Sequence, residues 1–242
     1  MKLCQRLLIL LCLGAARSGV AFVVAPVVPA GLANVEGNTN VSDFLNSSSF
    51  RMQMVFDASQ FAGLGGGPGI SNSVYGIAFR PDGASTFDVL YGFGGASVTL
   101  STTLKGPDNL SPVFADNVGA DAVTIYNGAI SFGGGYIPDS NPQPFGQTIP
   151  ATTPFYYDPA RGNLLVDIRA GSGQVLFPGA LDAQFVGSDG VSRVCANTAG
   201  ATAGTPDTLG LVTRFNIAVI PEPATWLIGI VGLIVLTAFR RR

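Results

Sequence analysis

The sequence contains no histidine among its 242 residues. That absence excludes Ser–His and Cys–His nucleophiles, imidazole general bases and every metal site ligated by histidine. Charge is also scarce, because Asp, Glu, Lys and Arg together make up 12% of the chain, about half the usual share. The 13 basic residues are outnumbered by 15 acidic ones, so a basic, nucleic-acid-binding surface is not expected.

Cysteine and tryptophan are nearly as rare. Of the three cysteines, Cys4 and Cys12 fall in the N-terminal segment that is expected to be removed as a signal, which leaves Cys195 without an intramolecular partner. We interpret Cys195 as a small buried hydrophobic residue beside Val194. The single tryptophan, Trp226, lies in the last apolar segment, so no indole is left elsewhere to stack on a sugar.

The N-terminus has the layout of a secretory signal. Lys2 and Arg6 precede an apolar run over residues 7–16, and a short basic region before such a run is typical of signal peptides. Small residues permit cleavage after Ala16 or after Ala33. We prefer Ala33, because residues 20–33 are apolar and the chain turns polar afterwards, and this predicts a signal peptide over residues 1–33.

The C-terminus combines three features in a fixed order. A motif comes first, and it consists of Pro221, Glu222 and Pro223. Residues 224–239 carry no charge and as a helix would span about 24 Å, slightly less than the usual membrane span of about 20 residues. The chain then ends in Arg240, Arg241 and Arg242, which the positive-inside rule places in the cytoplasm. The two prolines are expected to keep the motif extended and outside helix and sheet.

This end resembles the sorting signal of PEP-CTERM proteins from exopolysaccharide-producing Gram-negative bacteria. The resemblance covers residues 221–242, and Ile220 stands where the family often has valine. It implies an exosortase-type membrane enzyme as partner, processing near the motif, and delivery to the cell surface or matrix. The stretch TPFYYDPARGNLLVDIR and others in the middle of the chain also look like the ectodomains of such proteins, which implies a surface β-sandwich with no assigned reaction.

Residues 34–220 have the pattern of an all-β domain. They carry seven basic and 14 acidic residues, a net charge of −7, which favours solubility. Short runs rich in β-branched and aromatic residues alternate with Gly, Pro, Asn and Asp, and this predicts an antiparallel β-sandwich or jelly roll. The predicted strands cover residues 50–56, 74–79, 87–91, 96–104, 122–126, 129–132, 155–157, 164–169, 183–186, 191–194 and 211–219. Asn127-Gly128 is the strongest hairpin signal, and residues 63–69 and 133–150 are expected to form flexible loops.

Two local patterns suggest chemistry, and each has a simpler interpretation. Ser101 and Lys105 are spaced like a Ser–Lys dyad, but four strand residues would separate them by roughly 13 Å. Asp116, Asn117 and Asp121 offer oxygen ligands for a loop-bound Ca²⁺. They lack the full calcium-loop pattern, so an Asx-type turn is the simpler interpretation.

Acid–base and sugar-binding chemistry have few candidates. Asp158, Asp167 and Asp182 are the aspartates considered for a glycosidase pair, and nothing in the sequence brings them together. Phe155, Tyr156 and Tyr157 could offer stacking rings, although strand alternation turns at least one ring inward.

The sequence therefore predicts a non-enzymatic, exported surface or matrix protein, membrane-anchored before processing and without a cofactor. The alternatives are a carbohydrate-binding or adhesive module on exopolysaccharide, and a secreted hydrolase that uses aspartates. Sugar-dependent retention would favour the module, and activity that depends on one or two aspartates would favour the hydrolase.

Overall fold

The computed structural model describes residues 21–64, 70–83, 90–177 and 179–221. Within these ranges the chain is mostly β-strand, and the few helical segments are short 3₁₀ turns. The strands are β1 Phe22–Val24, β2 Val27–Val28, β3 Thr39–Val41, β4 Phe50–Phe56, β5 Ile70–Phe79, β6 Leu90–Thr103, β7 Val123–Gly133, β8 Ile149–Tyr156, β9 Asn163–Phe177, β10 Leu181–Phe185, β11 Val191–Ala196, β12 Thr205–Asp207, β13 Leu209–Leu211 and β14 Thr213–Pro221. The 3₁₀ segments are η1 Ala30–Leu32, η2 Ala58–Leu64, η3 Phe114–Asn117 and η4 Pro159–Arg161.

The strands form three antiparallel sheets. A six-stranded sheet has the order β12-β11-β4-β9-β6-β7, and a five-stranded sheet has the order β1-β14-β5-β8 with β2 also on β14. A small sheet, β13-β10-β3, lies beside them. The prediction of an all-β, antiparallel, sandwich-like domain is confirmed.

The two larger sheets share one apolar core. Phe56 of the six-stranded sheet meets Phe215 of the five-stranded sheet with ring centroids 4.9 Å apart, and Phe79 and Phe132 meet across the same interface at 5.4 Å. These tilted and edge-on contacts are the arrangement that aromatic quadrupoles favour. Face-to-face packing of this kind explains why alternate residues along β14, such as Phe215, Ile217 and Val219, are buried.

Strand β4 is buried along its whole length. Its Phe50, Met52, Met54 and Phe56 belong to the main core. The opposite face is covered by the segment around η3, whose Phe114 packs in a second apolar cluster with Val55. A loop that covers a sheet face is why β4 lacks the alternating pattern of a half-exposed strand.

The expected hairpin at Asn127-Gly128 is wrong. Both residues lie inside the continuous strand β7, where Asn127 pairs with Ser97 and Gly128 with Ala96. The backbone φ at Gly128 is +156°, which residues with a side chain rarely adopt, and a Cβ there would lie only 3.1 Å from the Tyr126 hydroxyl oxygen. The Asn-Gly pair thus marks an unusual backbone position within a strand and not a turn.

Candidate functional site

The predicted sorting motif begins inside the sheet. Pro221 is the last residue of β14 and pairs with Ile70 of β5, whereas the motif was expected to stay out of sheet structure. A proline is tolerated at this point because the strand ends there and needs no further N–H donor. Glu222 and Pro223 lie outside the described residues, as do the predicted membrane helix and Arg240, Arg241 and Arg242.

The start of the described chain lies beside the end of β14. Strand β1 is antiparallel to β14, so Phe22 pairs with Val219 and Val24 with Ile217. Farther along, the Phe215 N–H donates to the Pro26 carbonyl oxygen at 3.0 Å, and Val28 is fully buried. Residues that the preferred cleavage after Ala33 would remove are therefore built into the five-stranded sheet.

A buried ion pair fastens the same N-terminal segment. Arg80 Nε donates to Asp182 Oδ2 at 2.8 Å, and both side chains are 1% exposed. The remaining guanidinium donors reach the carbonyl oxygens of Leu32 at 3.0 Å and Val35 at 2.7 Å. The N–H of Gly37 donates to Asp182 Oδ1 at 2.9 Å. Burial raises the pKa of Asp182 to about 6, and the hydrogen bonds from Arg80 oppose that rise.

A second ion pair lies on the face of β4 that points away from the main core. Arg51 binds Asp167 through Nε at 3.1 Å and a terminal nitrogen at 2.6 Å. Its guanidinium also lies 4.2 Å from the centroid of the Phe114 ring. Gln53 donates to the same carboxylate at 2.8 Å. These contacts have a structural role, because they join β4 and β9 to the segment around η3 that covers them.

The Ser101 and Lys105 pair is not assembled for catalysis. Ser101 is 1% exposed, and its hydroxyl oxygen accepts the Gly119 N–H at 3.1 Å. Lys105 lies beyond the end of β6, and its backbone holds it there through bonds to Thr103 and Asn163. A buried hydroxyl that is used to position a loop is not available as a nucleophile.

The calcium candidates also make structural contacts. Asn117 is fully buried; its Oδ1 accepts the Ser111 N–H at 2.8 Å, and its Nδ2 donates to Gln53 at 3.0 Å. Asp116 accepts the Ser111 hydroxyl at 2.8 Å, and Asp121 accepts the Thr102 N–H at 2.7 Å. Within the described ranges no three His, Cys, Asp or Glu residues are close enough to hold a metal ion.

The three aspartates considered for hydrolysis lie in separate settings. Asp158 caps η4 by accepting the Ala160 N–H at 3.0 Å, while Asp167 and Asp182 are held by Arg51 and Arg80 as described above. Each has a local structural partner, and they do not form an acid–base pair.

The aromatic run divides between core and surface. Phe155 and Tyr157 are 2% and 1% exposed, whereas Tyr156 is 60% exposed. The alternation expected from the sequence is confirmed, and it leaves one ring of the three on the surface. Tyr157 also donates its hydroxyl to the Gly162 carbonyl oxygen at 2.9 Å, so it serves the turn after β8.

Cys195 behaves as a structural residue. It is a free thiol, half-buried and packed against the main core, in keeping with the sequence interpretation. Burial raises the pKa of the Cys195 thiol to about 11, so the reactive thiolate is scarce at neutral pH.

Two shallow depressions adjoin each other at the end of β6. Their volumes are about 420 and 540 Å³, and both are lined by Thr102, Leu104 and Ala120. Asp121 and Arg161 also line the first depression, and Lys105, Asn109 and Asp116 also line the second.

Sequence reasoning missed the buried arginines. Arg51, Arg80 and Arg193 were counted only toward net charge, yet they are 6%, 1% and 5% exposed. The available signal was position, because Arg51 and Arg193 interrupt the apolar runs FRMQMVF and VSRVCA. An arginine inside such a run indicates a carboxylate partner.

Among the residues that the structure describes, no helix is long and apolar enough to cross a bilayer. A comparison with protein-family models finds no match, and none of the curated proteins is significantly similar.

Proposed function

We propose that this chain is a non-enzymatic protein exported to the cell surface or extracellular matrix through a PEP-CTERM sorting signal. The observation that carries the proposal is the junction at Pro221, where a central strand of a folded domain leads directly into Glu222, Pro223 and the apolar run. The rest of the motif, an apolar run and three arginines therefore follow the β-domain without a spacer. This order suits a domain presented outside the membrane by its own C-terminus.

The N-terminal processing site that fits this domain is Ala16. Cleavage after Ala33 would remove β1 and β2, the buried Val28 and one carbonyl partner of Arg80. Cleavage after Ala16 keeps all of them and leaves residues 17–21 ahead of β1. We therefore propose that the exported chain begins at Arg17.

The absence of catalysis in this proposal is supported by the contacts of the polar candidates. Each polar residue named from the sequence, whether aspartate, serine or asparagine, makes a hydrogen bond or an ion pair within the described part of the chain. Strands from β4 to β9 pass repeatedly between the two larger sheets, which supports the finer assignment of a jelly-roll-type sandwich. Sandwiches of this kind serve well as exposed, rigid surface modules.

The location of the protein in the cell, and not an activity assay, tests the proposal. In an exosortase-containing host, the wild-type chain should appear at the surface or in the medium, because the motif is recognised and the anchor removed. A Pro221→Ala, Pro223→Ala double variant should remain in the membrane fraction. The matched control is Pro206→Ala, which changes a proline in β12, an edge strand of the other large sheet. Equal release of the motif variant and the control would contradict the proposal.

Binding of exopolysaccharide is the second candidate function, and Tyr156 is the observation that favours it. A tyrosine that is 60% exposed can stack on the apolar face of a sugar ring. Affinity electrophoresis in the producing organism's polysaccharide should then show retardation that Tyr156→Ala removes and Phe185→Ala does not. Equal mobility of all three forms would count against this candidate.

A further inference from the structure

We infer that the end of the five-stranded sheet from which the C-terminal segment leaves is a membrane-contacting surface, seated on the bilayer that residues 224–239 enter. The inference rests on the proposed anchoring of the chain. The surface, called here the apolar end, consists of Phe22, Val23, Tyr156 and Ile220. These four side chains are 51%, 64%, 60% and 40% exposed.

Strand register brings the apolar end together. Val23 pairs with Ala218, Ala218 with Ser73, and Ser73 with Tyr156, so one row crosses all four strands. Directly paired residues share a face of the sheet, and three strand spacings separate Val23 from Tyr156 by about 14 Å. Ile220 lies two residues beyond Ala218 on the same face. Phe22 pairs with the core-facing Val219 and therefore lies on the other face, at the outer edge of the sheet.

The distance to the anchor is short. Only Glu222 and Pro223 separate Pro221 from Ala224, so even a fully extended link would span about 10 Å. The polar headgroup layer on each side of a bilayer is about 5–8 Å thick. Even when fully extended, the link therefore reaches only about 2–5 Å beyond the headgroup layer. An anchored domain is held at the headgroup surface, and Ile220 is one residue before the strand ends at Pro221.

Charge favours the same orientation. The paired positions in the last rows of β14 and its neighbours are Phe22, Val23, Ser71, Asn72, Ser73, Tyr156, Ala218, Val219 and Ile220. None of them is ionisable apart from the tyrosine, whereas residues 34–220 together carry a net charge of −7. Asp158, two residues after Tyr156, is the charged group that follows at this end, where it caps η4. The paired rows themselves approach lipid without desolvating a charge, and tyrosine is favoured at the membrane interface.

The N-terminal segment supports this geometry independently. Because β1 is antiparallel to β14, the chain enters β1 at the same end at which it leaves β14. The apolar run over residues 7–16 ends five residues before Phe22, with Lys2 and Arg6 on its far side. During export both apolar runs, each with its basic residues away from the domain, therefore adjoin the apolar end.

Tryptophan fluorescence in vesicles tests the inference with the full chain. The vesicles contain phosphatidylcholine, brominated on the acyl chains close to the headgroup, and a minor share of phosphatidylglycerol. The native Trp226 reports insertion of the anchor. In a Trp226→Phe background, Tyr156→Trp and Val23→Trp report on the apolar end. Phe185→Trp is the control, because Phe185 is similarly exposed at 56% but lies in the small sheet, next to β13.

Brominated lipid should quench Tyr156→Trp and Val23→Trp several-fold more strongly than Phe185→Trp, with matching circular dichroism for all variants. If Trp226 is quenched while both apolar-end reporters behave like Phe185→Trp, the domain stands off the membrane and the inference alone is overturned. If Trp226 itself is not quenched and the chain fails to float with the vesicles, the proposed anchoring falls and the inference falls with it.

Discussion

Single side chains hold this domain together through buried arginine–carboxylate pairs. Arg80 is the most enclosed of them, and its donors are distributed over Asp182, Leu32 and Val35. Such a pair adds little net stability compared with an apolar replacement. The loss of one partner, however, leaves a buried charge without its counter-charge. The contribution of Asp182 to stability is therefore measured best by replacing its carboxylate.

Asp182→Asn should lower the free energy of unfolding by about 3–5 kcal/mol, because the Arg80 guanidinium stays buried without its counter-charge. Asp116→Asn is the matched control, since Asp116 is an exposed aspartate bonded to a surface serine, and it should change stability by less than about 1 kcal/mol. Urea denaturation followed by far-UV circular dichroism measures both. Similar midpoints for the two variants would show that the Arg80 pair is not structurally important.

At the scale of the elements, the N-terminal strands decide where the mature chain begins. Val28 is fully buried and β1 occupies the outer edge of β14. Losing the burial of one valine costs about 1.5–3 kcal/mol, and losing a hydrogen bond to a charged donor costs about as much. An uncovered edge of β14 would also invite pairing with other chains.

A chain that begins at Asn34 should therefore unfold with a free energy at least about 3 kcal/mol lower than a chain that begins at Arg17. Both forms keep the same C-terminus and are purified in the same detergent, and urea titration with analytical ultracentrifugation compares them. The shorter form should also self-associate more. Equal stability and equal mass in solution would restore Ala33 as an acceptable cleavage site.

The elements themselves were largely predictable from sequence, and their partners were not. Residues 50–56 match β4 because both signals, β-branched or aromatic content and flanking turns, are local. The role of Asn127-Gly128 could not be inferred, since it depends on a neighbouring strand and a tyrosine ring. The cover that η3 provides over Val55 and Arg51 is likewise a long-range contact with no local signature. Apolar residues 20–33 fit either a signal peptide or edge strands, and only sheet pairing separates the two.

For the molecule as a whole, we propose a surface-presented domain that catalyses no reaction. A broad screen of glycosidase, esterase and peptidase substrates should give background turnover, because the polar candidates are committed to structural contacts. The screen uses the full chain, with Asp158→Asn as a comparison, since Asp158 is the candidate outside the buried ion pairs. Reproducible turnover that a single Asp→Asn change removes, with the fold intact, would favour the hydrolase instead.

The intact mass of the protein released at the surface of an exosortase-containing host tests both proposed processing steps at once. We predict a chain that begins at Arg17 and ends close to the motif, at or after Pro221, because cutting earlier would break the β14 pairing with β5. Trp226 should be absent from the released form. A released protein that still carries Trp226, or one that ends well inside β14, would contradict the account.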